Sequence, residues 1–235
     1  MADAILTVDD AQKRYDDFIA VRGVSFEVKH GEVFGILGPN GAGKTSTLEM
    51  IEGLRELDGG SIKLDGIDVA KDPFGVKQII GVQLQSSAFF EGCRLTELLI
   101  AFAAMYGQSC DPMALLKKVG LEDKAKSYPE QLSGGQRQRF SIAVALVHEP
   151  KVLFLDEPTT GLDPQARRNL WDLVQEVSKE GITVILTTHY MEEAQVLCDR
   201  IAIMDEGRIV ALDTPKHLIN ALLKRGFKPH VEVQK

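Results

Sequence analysis

Runs of hydrophobic residues divide the chain into segments of two kinds. Val33–Leu37 and Val152–Leu155 are apolar throughout, which is typical of strands buried on both faces of a parallel sheet. Ile182–His189 and Gly81–Gln85 are two further strand-like runs. In Leu95–Tyr106, by contrast, the apolar residues at 95, 98, 99, 102 and 105 have the spacing of an amphipathic helix. The pattern therefore favours a mixed α/β fold.

Composition narrows the class of protein. The 235 residues are 44% hydrophobic and 26% charged, which is usual for a soluble chain. The formal net charge of −7 argues against a nucleic-acid partner, because such proteins usually present a basic face. The N-terminus predicts no signal peptide, and the apolar segment that ends at Tyr106 is shorter than the ~20 residues that a membrane helix needs. The three cysteines are scattered and indicate reduced thiols.

A glycine-rich loop follows the first apolar strand. Residues Gly38–Thr45 read GPNGAGKT and fit the pattern GxxxxGK[ST] between a strand and a helix predicted from about Lys44. Backbone N–H groups of such a loop surround phosphate oxygens, and the helix N-terminus adds its positive end. Lys44 can reach the outer phosphates and the Thr45 hydroxyl can ligate Mg²⁺. The loop predicts a nucleoside triphosphate site, since an ordinary glycine-rich turn rarely carries all four fixed positions.

Polar residues end the other predicted strands. Asp156, after Val152–Leu155, would face the same crevice as the phosphate loop and could hold Mg²⁺ through water. Glu157 follows at once and could polarise an attacking water. His189 ends its strand beside the crevice, where it could sense the γ-phosphate, although a lone histidine is usually structural. Gln85 is the last residue of a run that predicts a strand less strongly, and its neutral side chain could bind a water molecule or Mg²⁺.

A second glycine-rich stretch, LSGGQ at Leu132–Gln136, precedes an apolar run that predicts a buried helix. Glycine is a poor helix former, so two glycines in a first turn indicate that something approaches the backbone closely. Gly134 and Gly135 can offer bare amides at the helix N-terminus, beside the Ser133 hydroxyl, to a phosphate. One nucleotide does not need two such sites from one domain. We therefore expect two chains head to tail, with LSGGQ of each chain over the γ-phosphate held by the other.

These segments, in this order, resemble the motifs of ABC ATPases. Gly38–Thr45 is similar to the Walker A motif of that family, Gln85 to the Q-loop and Leu132–Gln136 to the signature. Val152–Glu157 is similar to Walker B, Gly161–Asp163 to the D-loop and His189 to the switch histidine. The resemblance extends from about Leu6 to Leu218. It implies that ATP is the nucleotide, that Tyr15 stacks on adenine and that Glu157 is the catalytic base.

The resemblance and the residue chemistry together give three sets of predicted site residues. The predicted catalytic residues are Glu157, His189 and Gln85. The predicted Mg²⁺ ligands are Thr45, Gln85 and Asp156. The predicted nucleotide-binding residues are Tyr15, Gly38, Pro39, Asn40, Gly41, Ala42, Gly43, Lys44, Thr45, Ser46, Ser133, Gly134, Gly135 and Gln136.

The resemblance also implies an architecture. We expect a single ABC ATP-binding domain over 1–235, with a P-loop NTPase core from about 1–85 and 151–220. Near the N-terminus, the segments ILTVDD, VSFEV and SIKLDG predict an antiparallel β layer. A helical subdomain at about 86–150 would carry LSGGQ, and 221–235 would form a short tail.

The leading functional prediction is an ATP-hydrolysing subunit that powers a membrane transporter. Residues 188–218 resemble most the bacterial exporter branch that handles drugs, lipids or polysaccharides. The expected partners are a second ABC ATPase chain, in a homodimer, and an integral membrane permease at the cytoplasmic face of the cell membrane. Phe89 and Phe90 lie in a predicted loop and are expected to contact the permease. The alternatives are a soluble ABC ATPase acting on ribosomes or nucleic acid and, more distantly, a P-loop kinase.

Overall fold

Two β-sheets and the helices around them make up residues 4–83 and 89–224, the part of the chain that the computed structural model describes. The strands are β1 (Ala4–Tyr15), β2 (Phe18–Lys29), β3 (Val33–Leu37), β4 (Gly59–Leu64), β5 (Ile67–Asp68), β6 (Ile80–Gln83), β7 (Val152–Asp156), β8 (Thr183–Thr188), β9 (Arg200–Asp205) and β10 (Arg208–Asp213). The helices are α1 (Lys44–Ile51), α2 (Pro73–Ile79), α3 (Leu95–Met105), α4 (Pro112–Lys118), α5 (Gly134–Ala145), α6 (Pro164–Lys179), α7 (Met191–Leu197) and α8 (Pro215–Lys224).

The central sheet has the strand order β10-β9-β3-β8-β7-β6 and is parallel except for β10, which runs antiparallel to β9. Every residue of β3, β7 and β8 is buried, which explains the apolar sequences of β3, of Val152–Leu155 in β7 and of 184–186 at the centre of β8. In the register, Leu37 is opposite Thr188 and Asp156 is opposite Thr187. The carboxyl ends of these three strands therefore lie side by side, and the loops that follow them meet at one edge of the sheet.

The predicted antiparallel layer is confirmed as a four-stranded sheet with the order β2-β1-β4-β5. Strand β1 is 12 residues long and extends beyond the predicted segment to Tyr15. Asp16 and Asp17 form the two-residue turn that leads into β2, and Tyr15 is paired with Phe18 across that turn. The hairpin thus places two aromatic residues opposite each other at the end of the sheet.

The helices predicted between about 86 and 150 pack onto one face of the central sheet. Leu98 of α3, Leu116 of α4 and Phe140 of α5 belong to the same hydrophobic core as Leu153 of β7 and Trp171 of α6. A second core lies on the other face of the sheet, where α1 and the antiparallel sheet cover it. The helical segment therefore shares its core with the central sheet, and the two cores meet across the strands.

Local sequence signals explain where three of the helices begin. Asp72, Asp111 and Asp163 each precede a proline, and each aspartate accepts hydrogen bonds from backbone N–H groups of the first helical turn. Aspartate is a preferred N-cap, and proline fits the first helical position because its missing N–H would be unpaired there. Helix α8 runs to Lys224 and so crosses the expected start of the tail at 221. Across 4–83 and 89–224, no helix combines the length and the apolar character that spanning a bilayer requires.

Candidate nucleotide-binding site

A cavity of about 380 Å³ lies between the loop after β3 and the β1–β2 hairpin. Its lining contains predicted site residues from three separate parts of the chain, together with Phe18, which the sequence did not single out. Those predicted residues are Tyr15, Asn40, Gly41, Gly43, Lys44, Thr45, Ser46 and Glu157. The phosphate loop, the tyrosine predicted to stack on adenine and the predicted base are thus brought to one site.

The phosphate loop ends at Gly43, the residue that precedes α1. Gly43 has φ 97°, and a Cβ added there would lie 2.4 Å from the carbonyl oxygen of Ala20, so only glycine fits. No side chain of the described residues caps this helix. The N–H groups of its first turn therefore remain available to an anion, and the positive end of the helix dipole points the same way.

Lys44 is 4% exposed and its ammonium has three oxygen partners. The Nζ atom donates to the carbonyl oxygens of Gly38 at 3.0 Å and Pro39 at 3.2 Å. It also lies 3.2 Å from Oε1 of Glu157. Gly38 and Pro39 do not line the cavity but orient the lysine through their carbonyl groups. Ala42, a further residue of the loop, is buried.

Asp156 ends β7 beside Thr45, does not itself line the cavity and is 8% exposed. The Thr45 hydroxyl donates to Oδ2 of Asp156 at 3.4 Å, so the two predicted Mg²⁺ ligands of this part of the chain are adjacent. The Thr187 hydroxyl donates to Oδ1 of the same carboxylate and accepts a bond from the Glu157 N–H at 3.0 Å. Thr187 thus orients both acids. No sequence signal distinguished it from Thr183 and Thr188 in the same strand.

Glu157 is the point at which the chain leaves the sheet. Its φ of 46° lies in the left-handed region, which is uncommon for a residue with a Cβ. Its side chain is 12% exposed and contacts two other site residues, because Oε1 faces Lys44 and Oε2 lies 3.4 Å from Nδ1 of His189. Thr160 donates to Oε2 as well, at 3.3 Å. The predicted base and the predicted γ-phosphate sensor are therefore in contact.

Tyr15 reaches the phosphate loop from the hairpin. Its hydroxyl lies 3.2 Å from Oγ of Ser46 in α1, and the ring packs against the core below the antiparallel sheet. The remaining predicted catalytic residue, Gln85, lies outside the described residues. Its roles as Mg²⁺ ligand and in catalysis stay predictions.

LSGGQ lies away from this cavity. Ser133 and Gly134 are exposed, and Ser133 is the N-cap of α5. The Ser133 hydroxyl accepts from the Gln136 N–H at 3.3 Å, and Oε1 of Gln136 accepts from the Ser133 N–H at 3.0 Å. The two glycines differ. A Cβ at Gly135 would lie 2.8 Å from Cβ of Ala166 in α6, whereas one at Gly134 would meet nothing closer than 4.0 Å.

The prediction that both glycines offer amides to a phosphate stays a prediction, but the structure gives Gly135 a second reason to be glycine. Gly135 is required by helix packing within the chain, because α6 passes too close for a side chain. Gly134 has no such requirement and is the residue whose backbone is open to solvent. Phe89 and Phe90 are both expected from the sequence to contact the permease, but they differ in the structure. The ring centroids of Phe89 and Phe140 lie 5.0 Å apart, so Phe89 packs within the chain, whereas Phe90 is 51% exposed.

A buried carboxyl lies behind the site. Glu52, at the end of α1, is 2% exposed, and its pKa is raised from 4.5 to about 8 by burial, then by the charges of Asp156 and Glu49. The carboxyl lines a small groove of about 290 Å³ together with Leu54, Val82 and Tyr106. A single glutamate in a helix gave no sequence signal for this burial.

Comparison with known proteins identifies the family. The ABC transporter family model matches residues 21–160. The chain belongs to the ABC transporter family. It is 43% identical over 226 residues to the Nod factor export ATP-binding protein I of Burkholderia pseudomallei (strain 1710b), covering 94% of this chain and 74% of that protein.

Solved structures of this family share the fold. The structure of cbiO1 from Clostridium perfringens, part of the ABC transporter complex cbiONQ, matches with a TM-score of 0.84 and 32% identity, covering 95% of this chain and 94% of that one. A bacterial ABC transporter cassette solved as a dimer matches with a TM-score of 0.80 and 25% identity over 89% and 98% of the two chains. This ABC protein is thus the ATP-binding and ATP-hydrolysing subunit of a transporter, and the ribosomal or nucleic-acid alternative is not favoured.

Proposed function

We propose that this ABC ATPase powers an exporter and hydrolyses ATP at two equivalent sites, each completed by LSGGQ of a second copy of the chain. The observation that carries the proposal is the separation within one chain. The cavity with Lys44 and Glu157 is open, while Ser133 and Gly134 form the solvent-exposed N-terminus of a buried helix elsewhere. A helix N-terminus with a bare glycine can receive a phosphate oxygen. A head-to-tail pair places each such terminus over the other copy's cavity.

In this proposal, different residues of the cavity bind different parts of the nucleotide. The Lys44 ammonium and the N–H groups at the start of α1 bind the outer phosphates, and Tyr15 stacks on the adenine. The hydroxyl of Thr45 and the carboxylate of Asp156 are hard oxygen donors that lie together, a donor set that fits Mg²⁺. When bound there, the ion would neutralise charge that develops on the phosphates.

Glu157 acts on the attacking water in this proposal. Its carboxylate lies at the cavity wall, and His189 and Thr160 hold Oε2, so Oε1 has a defined direction. A positioned general base typically contributes 10²–10⁴ in rate. His189 is 30% exposed beside that carboxylate and can meet the γ-phosphate from the open side.

Several observations support the exporter and its permease. The name of the Burkholderia relative contains the word export. The exposed ring of Phe90 stacks on Phe102, which also lines the groove at Glu52. This apolar surface on the helical side is suited to contact with a membrane permease. The complex then lies at the cytoplasmic face of the cell membrane, with the two ATPase chains forming a homodimer.

An ATP-dependent dimer is the decisive test. Glu157→Gln keeps the shape of the side chain but removes the carboxylate, so ATP should persist and the closed pair with it. Sedimentation at several protein concentrations should show monomer without nucleotide and dimer with Mg²⁺–ATP. Adding Ser133→Arg should abolish the dimer by blocking Gly134, while adding Ser133→Thr, which keeps an N-cap hydroxyl, should retain it.

Two results would overturn the shared site. An ATP dimer that survives Ser133→Arg would mean that LSGGQ does not cover the partner's nucleotide. A dimer that forms equally without ATP would remove the reason for placing Gly134 at a phosphate. Co-purification of the chain with its membrane permease, followed by transport in vesicles, tests the export direction separately.

A further inference from the structure

We propose that Arg55 is a positioning residue for the adenine ring, acting through Tyr15. Arg55 lies in the loop between α1 and β4, and its guanidinium carbon is 5.1 Å from the centroid of the Tyr15 ring. That distance is within the range of a cation–π interaction. The inference rests on the proposed stacking of adenine on Tyr15 and adds a residue that supports the ring.

The guanidinium contacts the ring from outside the nucleotide cavity. Tyr15 lines the 380 Å³ cavity, but Arg55 does not, and instead it lines a separate depression with Leu54 and Pro73. Arg55 is therefore placed to hold the tyrosine and not to touch the nucleotide. In this proposal Arg55 affects base binding through the ring.

Arg55 is itself fixed by the helix that holds the phosphates. Its Nε donates to Oε2 of Glu49 at 2.6 Å, and Glu49 lies on α1. This hydrogen bond raises the pKa of Arg55, so the guanidinium stays charged. Since Ser46 of the same helix bonds the Tyr15 hydroxyl, α1 contacts the tyrosine at both its polar end and, through Glu49 and Arg55, its ring.

The rest of the loop clamps the end of β1 on which Tyr15 lies. Nζ of Lys13 is 5.8 Å from the Tyr15 centroid and donates to the carbonyl oxygen of Glu56 at 2.8 Å and to Asp58 at 3.1 Å. The Arg14 N–H donates to the other oxygen of Asp58 at 2.7 Å. The loop after α1 thus fixes the ring before a ligand arrives, and a preorganised contact loses less conformational entropy on binding.

The experiment compares two ligands that differ by the nucleoside. Binding of ATP and of inorganic tripolyphosphate is measured by calorimetry on the full chain. Arg55→Gln should raise the Kd for ATP about two- to fivefold, the range expected of an exposed cation–π contact, and leave that for tripolyphosphate unchanged. Arg55→Lys keeps a cation and should lie between Arg55→Gln and the wild type. In Arg55→Gln the KM for ATP should rise, while kcat should not change.

A double-substitution cycle separates this role from the proposed stacking. Tyr15→Leu alone should raise the ATP Kd by roughly one to two decades. In that background Arg55→Gln should add nothing, because the ring through which it acts is gone. Lys179→Gln, which removes one positive charge at the far end of α6, is the matched control and should change neither Kd.

The outcomes are distinct. If Tyr15→Leu binds ATP normally, adenine stacking on Tyr15 is wrong and the proposed nucleotide site must be revised. If Tyr15→Leu weakens binding but Arg55→Gln weakens ATP and tripolyphosphate equally, Arg55 acts as a general positive charge and the inference fails. It also fails if the effects of Arg55→Gln and Tyr15→Leu are additive, or if Arg55→Lys and Arg55→Gln both bind ATP as the wild type does.

Discussion

Replacing Glu52 with glutamine is expected to stabilise the protein relative to the wild type by an amount that grows as the pH rises. Glu52 is buried at the end of α1, and its pKa is raised from 4.5 to about 8 by burial and by the charge of Asp156. At neutral pH the folded chain must therefore keep this carboxyl protonated or bury its charge. Glutamine has nearly the shape of the protonated acid and has no proton to lose.

The direction in which the unfolding free energy changes with pH follows from the number of protons bound in the folded and unfolded states. Between pH 4.5 and about 8 the folded state holds the Glu52 proton and the unfolded state releases it. The free energy of unfolding therefore falls as the pH rises through this window. With about 1.4 kcal/mol for each pH unit, the Glu52 contribution decreases by about 2–3 kcal/mol between pH 5 and pH 7. Below the unfolded pKa of 4.5 it is fully present.

Urea unfolding at several pH values measures this contribution directly. Other groups titrate over the same range, so the quantity to plot is the difference in unfolding free energy between Glu52→Gln and the wild type. That difference should move in favour of the variant by about 2–3 kcal/mol from pH 5 to pH 7. Glu56→Gln, which removes an exposed carboxylate from the loop that follows, reports the effect of charge removal alone. A flat difference, or one that moves towards the wild type, would refute the reasoning.

Three further predictions concern the site and its surroundings. Lys44→Ala should abolish detectable ATP binding in calorimetry, because in the proposed function its ammonium binds the outer phosphates. Near-normal ATPase turnover would contradict the assignment. Gly135→Ala should lower the melting temperature, since its Cβ would lie 2.8 Å from Ala166, whereas Gly134→Ala should fold normally and weaken only the ATP-dependent dimer. Phe90→Ser should reduce co-purification with the proposed permease and leave basal ATPase activity unchanged. Val210→Ser, at a residue of β10 that is 61% exposed, is the control. An equal loss of co-purification in both variants would count against the contact.

Much of the fold was readable because the signals are local. The uniformly apolar strands β3 and β7 are buried as predicted, and the glycine-rich loop between β3 and α1 lies where its pattern indicated. The register of the sheet then brings Asp156 and His189 to that loop, as the order of the strands requires. These features depend on periodicity and on strand ends, which a sequence displays directly.

The features that could not be predicted depend on contacts between distant segments. Gly135 is fixed by α6, which begins 29 residues further along the chain, so nothing near LSGGQ distinguishes it from Gly134. Phe89 and Phe90 are neighbours in sequence, but only Phe89 reaches Phe140. Glu52 carries a charge that predicts exposure, and its burial follows from the packing of α1. Tertiary packing decided each of these cases.

On the proposed function, the contacts of Lys44 link nucleotide binding to the activation of Glu157 as the base. An ammonium has three donors, and among the described residues Lys44 faces three acceptors: the carbonyl oxygens of Gly38 and Pro39 and Oε1 of Glu157. On the proposed function, a phosphate oxygen that binds this ammonium must replace one of them. The two carbonyls are fixed in the backbone of the loop, whereas a carboxylate can turn about its side-chain bonds. The phosphate therefore displaces Glu157, whose Oε1 becomes free to accept a proton from water while His189 retains Oε2. In this proposal Lys44 therefore holds the Glu157 carboxylate until ATP has bound.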